Sequence, residues 1–190
     1  MFRARGPLRP RQFRRLMRAG ALLVGRPRQQ LSEAHSLESE GQFQAAAQQF
    51  AELSDKAADY GMLDRAGNLS LQAARAYLEA SDTQQALAHA RSGLSRLMQA
   101  GREWRAGNLL EKFTAALRER NLNAEADALE KEFAHVYETP WVPGGEPAAP
   151  RGHLPSKCPN CGGPLHSDET DWIDQTTAEC PYCGTPVRAE

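Results

Sequence analysis

The chain has 190 residues, 41% of them hydrophobic and 25% charged, a composition typical of a globular protein rather than a disordered one. Its net charge of −1 conceals an uneven distribution. Residues 1–30 contain nine arginines and no acidic side chain, whereas residues 31–190 hold all 24 acidic side chains. No apolar run reaches the roughly 18–20 residues that a membrane-spanning helix needs, so the sequence predicts no transmembrane span.

Residues 1–26 are predicted to form a basic N-terminal arm. Its apolar side chains share one helical face and its arginines lie largely elsewhere, a pattern typical of segments that lie on an anionic membrane surface or contact RNA. An export signal is disfavoured because no Ala-x-Ala cleavage site follows the apolar run. An organelle transit peptide, and translation starting at Met17, are alternatives. We expect a cytoplasmic protein with a peripheral rather than a spanning contact to any membrane.

Residues 27–138 contain an internal repeat with an offset of 40 residues. The sequence Arg65-Ala-Gly-Asn-Leu69 recurs unchanged as Arg105-Ala-Gly-Asn-Leu109, and alanines also align at this offset. Apolar residues at spacings of three and four predict amphipathic helices near 27–40, 42–58, 64–80, 83–99, 103–119 and 122–138. Gly61 and Gly101 are expected to end helices in the left-handed conformation, and Ser81, Asp82 and Thr83 to cap the next one.

The stretch from Glu40 to Phe50 resembles the turn and second helix of a tetratricopeptide repeat, and the stretch from Leu71 to Tyr77 resembles another unit. This resemblance implies a mainly α-helical domain of three stacked helical hairpins. The alternative is an irregular helical bundle with one duplicated hairpin. Repeat stacks of this kind bind a peptide or helix of a partner along the face lined by the first helix of each pair. The candidate partner-binding residues are Asn68, Gln72, Arg75, Asn108, Glu111 and Lys112.

Residues 139–156 are predicted to form an extended linker, because five prolines and three glycines lie between Pro140 and Pro155. Trp141 and Val142 are unusually apolar for a linker. We expect them to dock on the last helix pair or to anchor a partner.

Residues 157–190 contain all four cysteines, as Cys158-Pro-Asn-Cys161-Gly and Cys180-Pro-Tyr-Cys183-Gly. Two residues between cysteines let a tight turn direct both sulfurs at one ion, and four thiolates satisfy tetrahedral zinc. This double C-P-x-C-G pattern resembles the zinc-ribbon family, which implies a small β module around one structural zinc held by Cys158, Cys161, Cys180 and Cys183. His153 and His166 are expected not to bind the metal.

The cysteine pattern is compatible with two other functions of this module. Rubredoxin-type iron carriers use similar cysteine pairs, although their domains are usually longer and richer in aromatic residues. Many zinc ribbons bind nucleic acid, but the acidic residues of this one disfavour contact with phosphate. The apolar pair Trp172 and Ile173 is expected either to pack the thin core of the ribbon or to contact another protein.

The sequence contains no phosphate-binding glycine loop, metalloprotease histidine pair or nucleophile with an adjacent base. The leading hypothesis is therefore a non-enzymatic adaptor or scaffold that binds a protein or peptide through the helical repeat. The second hypothesis is a nucleic-acid or membrane-surface accessory protein acting through the N-terminal arm. The third is an electron carrier with iron at the four cysteines.

Overall fold

The structure, a computed structural model, describes residues 25–137, 152–167, 170–173 and 175–189. It is mainly α-helical, with a small antiparallel sheet near the C-terminus. The predicted features of residues 1–24 and the segment that contains Trp141 and Val142 lie outside the described residues. None of the described helices is both long enough and apolar enough to cross a membrane.

The described residues form six successive helices, and all six were predicted from the spacing of apolar residues together with the breaks between them. They are α1 (Gly25–Ser39), α2 (Phe43–Asp59), α3 (Leu63–Glu79), α4 (Thr83–Gln99), α5 (Glu103–Glu119) and α6 (Asn123–Glu132). Pro27 lies in the first turn of α1, where it displaces no hydrogen bond of the helix. The last helix is shorter than predicted. It ends at Glu132, and a 3-10 turn over Ala134–Tyr137 places Val136 in the core together with Phe133.

The turns between helices repeat every 20 residues. Residues 41, 61, 81, 101 and 121 all have positive φ angles between 62° and 77°. In the first turn, the N–H of Gly41 bonds the carbonyl of Glu38 and the N–H of Gln42 bonds that of Leu37, and the same two bonds recur in the other four turns. This pair of bonds is the Schellman motif, which satisfies carbonyls left free at a helix end. Gly61 and Gly101 therefore adopt the predicted conformation.

Capping at the start of α4 follows the prediction in part. The carboxylate of Asp82 accepts a hydrogen bond from the N–H of Gln85 at 3.1 Å, so Asp82 is the N-cap residue. Ser81 does not cap, because it adopts the left-handed conformation with φ 62°.

Each helix packs on the next, and α3 makes its most extensive contacts with α2 and α4. The alanine five residues after each positive-φ residue is fully buried, at the same 20-residue interval: Ala46, Ala66, Ala86, Ala106 and Ala126. At the α3–α4 contact, a Cβ atom added to Gly93 would lie 2.9 Å from the carbonyl oxygen of Gly67. The main chains of these helices therefore approach more closely than any larger residue would allow.

The described residues between 152 and 189 form a small module, which we call the C-terminal module. Its strands are β1 (Asp171–Trp172), β2 (Thr177–Glu179) and β3 (Pro186–Arg188), paired antiparallel in the order β1-β2-β3. Ala178 on β2 pairs with Val187 on β3, and both are buried. The strands are only two or three residues long, so hydrogen bonds between strands alone cannot hold this module together.

Candidate metal centre

Two turns of nearly identical geometry carry the four cysteines. In the first turn, the N–H of Cys158 bonds the carbonyl of Gly163 at 2.8 Å and the N–H of Gly162 bonds the carbonyl of Cys158 at 2.8 Å. In the second turn, which spans residues 180–185, the corresponding bonds measure 3.0 and 2.9 Å. The glycine after each pair has a positive φ, 76° at Gly162 and 69° at Gly184. We call these two turns the first and second knuckle.

The two knuckles bring all four sulfur atoms together. The ligand atoms of Cys158, Cys161, Cys180 and Cys183 lie within 4.8 Å of one another. The Sγ atoms of Cys158 and Cys183 are 3.7 Å apart, and those of Cys161 and Cys180 are also 3.7 Å apart. A metal–sulfur bond of about 2.3 Å gives a tetrahedron with edges of about 3.8 Å. The cluster therefore has the dimensions of a site that could hold one tetrahedral metal ion.

The thiols cannot ionise independently at these distances. Hydrogen bonding with Cys180 and Cys183, and then burial, raises the pKa of Cys161. Hydrogen bonding with Cys161 lowers the pKa of Cys180, but hydrogen bonding with Cys183 and burial outweigh it, so this pKa rises to about 12. The pKa of Cys183 is lowered because Cys161 and Cys180 bond to its sulfur. One thiolate is stabilised by its neighbours, whereas four adjacent thiolates need a cation between them.

Two polar side chains support the sulfur of Cys183. The amide of Asn160 donates hydrogen bonds to the Cys183 Sγ at 3.5 Å and to the Thr185 hydroxyl at 2.8 Å. That hydroxyl is 3.3 Å from the same sulfur. Such contacts around metal ligands stabilise the thiolate and fix its direction. They also explain how Cys183, the one ligand that is only partly buried, is kept in place.

The predicted bystander histidines lie away from this cluster. His153 and His166 are both exposed, and within the described residues only the four cysteines form the group that could hold a metal. Trp172 is partly buried on β1 and donates a hydrogen bond to the carbonyl of Ser167 at 3.1 Å, whereas Ile173 is 59% exposed.

The second knuckle lies against the helices. The amide of Asn68 on α3 donates a hydrogen bond of 3.2 Å to the carbonyl of Pro181. The buried ring of Tyr182 packs edge-on against the ring of His35 on α1, with centroids 5.4 Å apart. The guanidinium of Arg65 lies over Gly184 and forms an ion pair of 3.7 Å with Glu179. The module therefore contacts helices that are far from it in the sequence.

The first knuckle contributes to the same contact. A Cβ atom added to Gly163 would lie 2.8 Å from the Nε2 atom of His35 and 2.6 Å from the Cδ2 atom of Tyr182. A larger residue at this position would push the knuckle away from α1. His35 also contacts Phe50 of α2 with ring centroids 4.9 Å apart. One buried histidine thus joins two helices and both knuckles.

The candidate partner-binding residues divide into two groups. Asn68, Gln72 and Arg75 on α3 line a small enclosed space together with Pro181 and Tyr182 of the C-terminal module. Three others, Asn108, Glu111 and Lys112, lie on α5, where Glu111 is exposed. Part of the face predicted for a partner is therefore in contact with the chain's own second knuckle. Binding of a partner by these residues stays a prediction.

Sequence reasoning did not single out several residues that build this arrangement: His35, Arg65, Asn160, Tyr182 and Thr185. Arg65 carried a signal, since it begins the repeated five-residue sequence. Its counterpart Arg105 has a different role, because it is almost fully buried and forms an ion pair of 3.2 Å with Asp64. The repeat preserves the backbone position of the two arginines, while their surroundings decide what each one contacts.

Comparison with known proteins gives no match to the chain, whether among protein-family models, curated proteins or solved structures. The residues and their geometry are therefore the basis for inferring what this protein does.

Proposed function

We propose that this protein is a non-enzymatic protein-interaction scaffold, in which a tetratricopeptide-like stack of three helical hairpins is joined to a zinc ribbon. The observation that carries the proposal is the contact between the second knuckle and helices α1 and α3, through Asn68, His35 and Tyr182. This contact makes one continuous surface from two parts of the chain. A metal site that shapes such a surface serves binding rather than chemistry.

The proposed ion is one structural zinc. Four thiolates complete its tetrahedral shell and leave no position for an activated water, which is the pattern of structural rather than hydrolytic zinc sites. Three of the four cysteines are buried, which also favours a site that is closed to substrates. Iron accepts the same four-thiolate tetrahedron, so an electron carrier is the alternative for the metal centre.

Metal analysis of the natively purified full-length protein distinguishes these functions. We expect one zinc per chain and no visible absorption. Protein grown with iron available that contains iron and is red would make this chain a redox protein and would contradict the proposed structural role.

The regular turns of the stack and the faces of its helices support a role for the stack in binding a partner. The 20-residue interval between positive-φ residues places successive helices in alternating orientation, and two such helices make the 40-residue repeat. The helices that contact the second knuckle, α1 and α3, are the first members of the proposed pairs. They are therefore the helices that the resemblance assigns to partner binding.

A partner test separates the helical stack from the basic arm. We expect proteins that associate with the full chain to remain associated when residues 1–24, which precede α1, are removed. Association that is lost with this deletion, and that weakens steeply with salt, would instead favour a nucleic-acid or membrane-surface protein acting through the arm. We propose a cytoplasmic location, which imaging of the full-length protein tests.

A further inference from the structure

An apolar groove of about 670 Å³ lies between the first three helices and the second knuckle. Its helical side includes Leu31 of α1 and Leu53 of α2. Its opposite side is formed by residues 182–186, including Tyr182 and Pro186. Cys183 contributes to the wall of the groove, but the other three cysteines do not line it. The groove is therefore a different binding site from the four-cysteine cluster.

The rim of this groove carries exposed apolar side chains. Tyr60, which follows the last residue of α2, is 64% exposed, and Met62, which precedes α3, is 39% exposed. They flank Gly61, whose left-handed conformation turns the chain sharply between these helices. The turn therefore presents two large apolar side chains beside a groove that is itself apolar. Contiguous exposed apolar surface of this kind marks interaction sites in soluble proteins.

The charges around the groove have one sign. Arg28, Lys56 and Arg65 line it, and none of the described residues that line it is acidic. Lys56 lies 3.6 Å from Glu52 and Arg65 lies 3.7 Å from Glu179, but both pairs are solvent-exposed. Exposed pairs of this kind contribute little and exchange readily. A basic rim is unusual on this chain, since all 24 acidic residues lie beyond residue 30.

We propose that this groove binds a short segment of a partner protein, with aromatic or aliphatic anchors flanked by Asp or Glu. This inference rests on the proposed function and adds the chemistry of the partner. The anchors occupy the space between Leu53 and Tyr182, while the carboxylates face Arg28 and Lys56. The arginine-rich arm of the chain is an unsuitable occupant because its charge has the same sign as the rim.

The groove also depends on the metal centre. Its second wall runs from Tyr182 to Pro186, within and just after the second knuckle. A knuckle of this size takes its folding free energy mainly from the metal. Removal of the metal therefore removes one wall of the groove, and we expect the affinity for the partner segment to follow metal occupancy.

The test selects displayed random peptides on the full-length, metal-loaded protein and measures binding of the enriched peptides by fluorescence anisotropy. We expect enriched sequences to combine Leu, Ile, Phe or Trp with Asp or Glu. Met62→Asp, the double variant Arg28→Glu/Lys56→Glu, and metal removal by a chelator should each weaken binding at least about tenfold. Trp104→Asp on α5, where the side chain is 38% exposed, and Lys131→Glu match these changes outside the groove and should leave binding unchanged.

Several outcomes would overturn the groove as the site. Enrichment of basic or uncharged peptides, or the absence of any enrichment, contradicts the proposed chemistry. Binding of acidic peptides that is unaffected by Met62→Asp places them on another surface, and the groove proposal fails while the scaffold function stands. Peptide affinity that increases at least about tenfold in Trp141→Ser shows that the chain's own segment 138–151 is the occupant, which also overturns a partner as the ligand.

Discussion

The helical stack and the C-terminal module are stabilised in different ways. The stack buries leucine, phenylalanine and alanine along six helices, and its five interhelical turns repeat the same pair of main-chain hydrogen bonds. The module has three strands of two or three residues and a cluster of four thiols. Apolar burial grows with the number of helices packed together, whereas the module has too little apolar surface to fold in that way. We therefore expect the stack to fold on its own and the module to require a metal ion.

Loss of the metal should produce the largest difference in stability between the stack and the module. In Cys161→Ser, we expect the module to unfold while the helical signal in circular dichroism is retained, because the helices make their extensive contacts with one another. The free energy at stake is on the order of 10 kcal/mol for a structural zinc site. The dispersion of NMR cross-peaks from each part shows separately whether the stack and the module are folded.

The matched controls are His153→Ala and His166→Ala, which should keep both the metal and the module. Loss of helical signal in parallel with loss of metal would show that the stack depends on the module. The expectation that the stack folds on its own would then be wrong.

Close helix packing gives the next largest effect. Gly93→Ala should destabilise the stack by about 1–3 kcal/mol, because the added Cβ would lie 2.8 Å from the Cγ of Leu71 and 2.9 Å from the carbonyl oxygen of Gly67. The sign of the change in unfolding free energy is informative, since a Gly→Ala change at a helix position with free space stabilises by about 1 kcal/mol. Denaturant unfolding followed by circular dichroism measures it. Gln99→Ala, on the exposed end of the same helix, is the control.

The repeated turns give a smaller effect of opposite sign. Ser81→Gly should stabilise the stack by up to about 1 kcal/mol, because Ser81 has a φ of 62° and glycine adopts this conformation without steric cost. The reciprocal variant Gly61→Ser should destabilise by a similar amount, although no atom would lie within 4 Å of the new Cβ. Thermal unfolding of both variants tests this, and equal shifts in the same direction would contradict the role of the turns.

His89 on α4 should give the smallest effect. Burial lowers its pKa, although Asp55 opposes the change, and its ring stacks on Tyr77 with centroids 5.2 Å apart. A lowered folded-state pKa means that the unfolded chain takes up more protons near pH 6.5, so stability falls as the pH drops below about 6.5. His89→Gln should reduce this slope in unfolding experiments, while the exposed His153→Gln should not. An unchanged slope in His89→Gln would count against a protonation penalty at this site.

The four-cysteine cluster that could hold a metal ion was predictable almost completely from local sequence. Both cysteine pairs and the glycine after each follow from two short segments, and the main-chain hydrogen bonds that shape each knuckle lie within its own segment. The helices were predictable because apolar spacing reports the buried face of each one. The 40-residue repeat was identified, but the underlying 20-residue interval was not. It is visible in the alanines from Ala46 to Ala126 and in residues 41, 61, 81, 101 and 121.

The sequence by itself determined the elements of this protein: the positions of the helices, the turns that end them, and four cysteines spaced for one ion. Helix formation, capping and cysteine spacing depend on residues that are close together along the chain, so a local pattern is sufficient. Only the tertiary structure decided that the second knuckle lies on α1 and α3, where Asn68 bonds Pro181 and His35 packs on Tyr182. These contacts join residues more than 100 positions apart, and they depend on complementary shape, which no local spacing records.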